Sequence, residues 1–183
     1  MGRRKREAHA SRFCYGEHAS CEDHARGALD YFLLKFVHVI GAAVLLGTGS
    51  GIAFFMLAAH LSRDVAFIAR TASVVVIADY LFTASAVVAQ PVSGYFLAQM
   101  LGIPLETGWI AVSLALYVVA GVFWLPVVWI QSQLRDLARK AAASGTALPE
   151  RYHRLFRIWL LFGIPGFGAV MAIIWLMIAK PGF

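Results

Sequence analysis

The sequence predicts an all-α fold, a bundle of four transmembrane helices. Two observations carry this prediction. The 183 residues are 60% hydrophobic and only 14% charged, with a mean hydropathy of +0.71, whereas a soluble domain carries about a quarter charged residues. Apolar runs long enough to cross a bilayer, roughly 20 residues each, recur at about residues 33–60, 71–101, 109–136 and 155–179. Removing those spans leaves no stretch with a core of its own, so residues 30–183 read as one membrane domain. The net charge of +6 is no nucleic-acid footprint, because the Lys and Arg residues gather in the leader and the connections, as membrane proteins keep them. The expected partner is the lipid bilayer, with a second copy or another membrane protein as a further possibility.

Residues 1–29 form a basic polar leader. It opens "MGRRKRE" with no apolar region behind it, so it is not a signal peptide, and it lacks the Ser or Thr at the sixth position that myristoylation wants. The leader is expected to be disordered. His9, Cys14, His18, Cys21 and His24 are zinc-capable types, but their spacing matches no zinc pattern. Both cysteines lie there, and one pair fixes no redox compartment.

Span one carries no Asp, Glu, Lys or Arg between Phe36 and Leu61, yet holds His38 near its start and His60 at its end. Lys35 shares a helix face with His38, three residues away, and can snorkel outward while a neutral imidazole faces the bundle. "GTGSG", Gly47 to Gly51, sits mid-span with no strand before it, so it reads as a close-packing face and not a phosphate loop.

Span two is interrupted only by Asp79, whose partner must come from another span because Arg70 lies nine residues back. "AQPVSG" then places Gln90, Pro91 and Ser93 where polar side chains bridge helices. Asp79 and Gln90 are the polar intramembrane positions of interest. The turn Gly102–Gly108 has only Glu106 as a charge. Span three continues into "QSQLRDLARKAAAS", which keeps helical spacing, until Gly145 and Pro149 break the chain. Span four opens on Arg154 and Arg157, suited to phospholipid head groups, and Pro165 in "GIPGFG" should kink it. Trp109, Trp129 and Trp159 read as interfacial belt residues, and the deeper Trp124 and Trp175 as packing residues.

Arg63 and Arg70 lie in the first connection, and Arg135, Arg139, Lys140, Arg151, Arg154 and Arg157 around the third. The positive-inside rule therefore places loops 61–70 and 137–154 in the cytoplasm and both chain ends outside. The basic leader conflicts with that placement; the short loops abut the spans directly and outweigh it.

Imidazole in a four-helix bundle is a natural axial ligand for haem iron. His60 cannot share an iron with His38, because 22 residues of helix, about 33 Å at 1.5 Å each, separate them. Met177, or Met171, on span four is the available second ligand, and Lys35 the neighbouring cation. The plainer reading of His38 is a hydrogen-bonding residue between helices.

"LLKFVHVIGAAVLLGTG", "FTASAVVAQPVSG", "GVFWLPVVWIQSQLRDLA" and "ERYHRLFRIWLLFGIPGFGAVMAIIWLMIAKP" together resemble the bacterial integral membrane proteins of domain-of-unknown-function family 2269. The likeness spans about Asp30 to Pro181 and implies four membrane spans in a bacterial inner membrane, with no established activity. The Lys35-x-x-His38 opening is also similar to that of HemJ-type protoporphyrinogen oxidases, four-span proteins that carry haem b through histidine. That likeness implies haem b at His38. It does not extend to the oxidase activity, since Gly41 to Ala43 are small where that family has bulkier residues. CopD-type membrane proteins share the same general look, but Met and His are too scattered here to imply a copper path.

Two functions stay open on the sequence. One is haem b binding at His38 for electron transfer or porphyrin-related chemistry. The other is a non-catalytic membrane protein that packs against partners or lipids, with His38 and Asp79 structural. No catalytic residue stands out, and a transporter ranks third because one buried acid in four spans makes no path alone.

Overall fold

The computed structural model describes residues 3–182, with side-chain surroundings from Arg26 onward. The leader's backbone belongs to α1 from Arg3, and the expectations for its His and Cys residues fall on side chains outside the described range. The elements are α1 (Arg3–Ser62), α2 (Val65–Ala78), a π-helical turn (Asp79–Thr83), α3 (Ala84–Met100), α4 (Gly108–Ser144) and α5 (Glu150–Ala179). Among the described residues four helical stretches are long and apolar enough to cross a membrane: Arg26–Ser62, Val65–Met100, Gly108–Ser144 and Glu150–Ala179. The chain is an integral membrane protein built as a four-helix bundle.

The connections follow from local chemistry. Residues 61–70 are not the extended loop their charge suggests, because the break is confined to Arg63 and Asp64. Asp64 caps α2, its carboxylate accepting from the Ala66 and Phe67 amides at 2.9 and 3.1 Å. Arg63 turns the chain with φ at 59°, a left-handed conformation that side chains disfavour. As its sequence indicates, α4 runs on through "QSQLRDLARKAAAS" and ends at Gly145, φ 64°, where glycine pays no Cβ penalty. Pro149 then caps α5. Pro165 lies inside α5 without ending it.

α4 packs most extensively on α5 and also on α2, while α1 packs on α3. The tight core lies near the α1–α2 and α4–α5 connections. Met56, Ile68, Leu134, Ala138 and Tyr152 are almost wholly buried there, and the alanines among their neighbours let backbones approach. Toward the α3–α4 turn the packing loosens, because α3 barely touches α4. Phe36, Val74, Leu161 and Ile178 point outward, as lipid-facing side chains do.

Two expectations are corrected. An added Cβ at Gly47 or Gly51 would meet nothing within 4 Å, so "GTGSG" is not the close-packing face; the crowded glycine of α1 is Gly41, whose Cβ would collide with the Gln90 amide. Trp159 is 4% exposed, a core residue, whereas Trp175 is 69% exposed and faces outward. Four-residue glycine spacing marks a possible seam, and only the neighbour's rotation decides which seam is used.

Candidate functional site

Polar groups inside the bundle collect in three places. The first is the α1–α3 seam around His38. Ser93 Oγ donates back to the Ala89 carbonyl at 2.6 Å, the usual resting bond of a helical serine. With its one hydrogen so used, Ser93 accepts from His38 Nδ1 at 2.9 Å. In the tautomer that matches this pairing the imidazole carries its hydrogen on Nδ1 and keeps a lone pair on Nε2. Gln90 Nε2 donates to the His38 carbonyl at 2.7 Å, and Gly94 lets the ring lie close, since a Cβ there would sit 3.2 Å from His38 Cε1. His38 and Gln90, nominated separately from the sequence, thus belong to one seam.

The second place is a partly open cavity of about 560 Å³ between the α1–α3 and α4–α5 pairs. Its walls are mostly apolar, and Asp79, Thr83, Gln90, Tyr117 and Gln131 are the polar exceptions that matter. The π-helical turn makes the Asp79 position: the Ala84 amide reaches back five residues to the Asp79 carbonyl. Such a turn inserts an extra residue into a helix and recurs at functional sites. Asp79 is only 3% exposed. Its partners are no cations: Trp124 Nε1, from another span, donates to Oδ1 at 3.4 Å, and Thr83 on its own span offers its hydroxyl.

Gln131, seven residues beyond Trp124, accepts from Trp159 Nε1 at 3.1 Å. Among the described residues its own Nε2 has no partner, although Gln131 is only 2% exposed. An orphaned buried donor costs about 1–3 kcal/mol. Tyr117 Oη donates to the Val87 carbonyl, joining α4 to α3 across the upper cavity.

The third place is at the opposite end. His60 stacks on Phe156 with ring centres 3.9 Å apart and lies within 5.8 Å of Tyr152 and 5.6 Å of His153. It is a member of an aromatic cluster and not merely an interfacial residue. Its Nδ1 and the Tyr152 hydroxyl are buried without partners.

Other nominated residues stand apart. Lys35 is exposed, its Nζ 5.6 Å from the centre of the Tyr31 ring. Met177 is half-buried near the end of α5, and neither it nor His38 lines the cavity. Among the described residues no three His, Cys, Asp or Glu side chains cluster as a metal site. Gln131 and Thr83 were not nominated from the sequence, and Trp159 was read there as a belt residue. A signal existed for the first, since Gln131 lies within a span and falls on the Trp124 face two turns along.

The family model described as "Predicted integral membrane protein (DUF2269)" matches residues 32–181. No curated protein and no solved structure matches the chain.

Proposed function

The chain belongs to the DUF2269 family of predicted integral membrane proteins, and from that premise we propose that it binds a lipid-soluble small molecule inside its bundle. The observation that carries this reading is the cavity of about 560 Å³. Ligand sites measure about 300–1,000 Å³, are lined mainly by apolar groups, and present a few convergent polar ones. Here the convergent groups include a buried hydrogen-bond donor with no partner among the described residues, Gln131 Nε2. A bilayer core offers no water to satisfy it, whereas a ligand with acceptors can. In this reading His38 holds α1 against α3, and no bond chemistry is required of the bundle.

The test uses the full chain in bilayer nanodiscs with a neutral, lipid-soluble diazirine probe. Photolysis should label cavity residues such as Phe123 and Phe162, and a Gly121→Leu variant should lose that labelling. Gly121 lines the cavity with nothing within 4 Å of its Cβ position, so a leucine there has room to begin and projects into the space a ligand would fill. Labelling confined to outward-facing Trp129 and Trp175 would refute the reading.

A second reading, haem b at His38, is favoured by one observation. Metal-binding histidines commonly donate their other ring N–H to an orienting partner, and His38 Nδ1 does so to Ser93. Haem would supply electron transfer; His38 would ligate through Nε2, with Ser93 fixing the ring. Because His38 is not a cavity wall, that site and the cavity are separate. A Soret band in purified protein that His38→Ala abolishes supports it, and colourless protein from haem-replete cells refutes it.

We also place the protein in a bacterial inner membrane with the α1–α2 and α4–α5 connections in the cytoplasm. The support is the cluster of Arg63, Arg135, Arg139, Lys140, Arg154 and Arg157 near that end.

A further inference from the structure

We propose that the ligand of the cavity is a lipophilic organic cation, with Asp79 as its counter-ion. This rests on the reading that the cavity binds a lipid-soluble molecule, and goes on to name the chemistry. Asp79 is a cavity wall residue, 3% exposed, and its hydrogen-bond partners are neutral: Trp124 Nε1 at 3.4 Å and the Thr83 hydroxyl one turn along. An ionised carboxylate accepts about four hydrogen bonds. Among the described residues no Lys, Arg or His lines the cavity, so these walls hold no positive partner where intramembrane acids ordinarily have one.

The surroundings select the kind of cation. A hydrated metal ion wants several oxygen ligands, and the walls around Asp79 are apolar. They are also aromatic: Tyr117, Phe123, Trp124, Trp159, Phe162 and Phe167 all line the cavity. Ring faces carry negative potential and attract desolvated organic cations, most strongly in a dry site. A carboxylate among aromatic faces is therefore matched to a quaternary or protonated amine, or to a phosphonium, with an apolar body.

Gln131 adds a second point of recognition. Its carbonyl oxygen is taken by Trp159, which leaves only the Nε2 donor for a ligand. It stands seven residues along α4 from Trp124, about 10 Å at the helical rise. The preferred ligand carries its cation at Asp79 and a hydrogen-bond acceptor roughly that far away. A neutral molecule with carbonyl acceptors alone would satisfy Gln131 and pair with Asp79 only in its protonated form.

The probe is radiolabelled tetraphenylphosphonium, measured for saturable binding to the full chain in nanodiscs. Wild type should bind saturably, and more weakly as pH falls, because protons compete for the carboxylate. Asp79→Asn should weaken binding by at least about tenfold, and Gly121→Leu should abolish it. Saturable binding that neither Asp79→Asn nor acid weakens would overturn the assignment. So would cavity labelling by the neutral diazirine without any phosphonium binding, which leaves the cavity reading standing. Loss of both signals refutes the two together. If Asp79→Asn does not fold, the pH profile of wild type and the Gly121→Leu variant still decide.

Discussion

A double-mutant cycle on His38 and Ser93 tests whether the histidine is the clasp between α1 and α3. Ser93→Ala removes the acceptor at 2.9 Å and strands the Nδ1 hydrogen of a half-buried ring. His38→Ala removes the ring itself, while Ser93 keeps its bond to the Ala89 carbonyl and is not orphaned. The Gln90 bond goes to the His38 main chain and survives both changes. Each single substitution should therefore cost about 1–2 kcal/mol, within the range for a lost polar pair. Their coupling should be about 0.6–1.7 kcal/mol, as measured for interhelical hydrogen bonds in membranes. Reversible unfolding in mixed detergent micelles, followed by far-ultraviolet circular dichroism, gives all four corners. Additivity to within about 0.3 kcal/mol, the behaviour of independent sites, would refute the clasp. His38 would then stand free for another role, and the absorption spectrum of the same variants reads the haem alternative directly.

Tyr152→Phe should leave stability unchanged or raise it by up to about 1 kcal/mol, because it deletes a buried hydroxyl that has no partner while keeping the ring contacts with His60 and Phe156. Thermal aggregation of the detergent-purified protein measures this, and a clear loss would reveal a hydrogen bond at that hydroxyl. A reporter enzyme fused after Phe183 should be active only outside the cytoplasm, since four spans return the carboxyl end to the side opposite the Arg-rich connections. Cytoplasmic activity would invert the orientation.

Some of the site was legible before the fold. Asp79 stood out because an acid in an apolar run is costly; of its partners Trp124 lies on another span, as sought, while Thr83 lies on its own. Ser93 and Gln90 were legible as helix-bridging residues, and His38 as their neighbour in kind. Gln131 and Thr83 were not singled out, because a lone amide or hydroxyl in a membrane helix has a ready structural explanation. The glycines misled: Gly47 and Gly51 have the spacing of a contact face, yet the close approach occurs at Gly41 and Gly94.

The physical reason lies in the solvent. Length, apolarity and the Gly145 break are local properties, so the sequence by itself determined four membrane helices, while the Asp64 cap that starts α2 at Val65 emerged only in the structure. In water, an apolar stripe would also announce which face turns inward. In lipid both faces are apolar, as Phe36 and Leu161 pointing outward illustrate, and helical periodicity loses that information. Rotation is then set by close approach and interhelical hydrogen bonds, which depend on two helices at once. Only the tertiary structure could therefore decide that His38 meets Ser93, that Asp79 meets Trp124, and that a cavity opens between them.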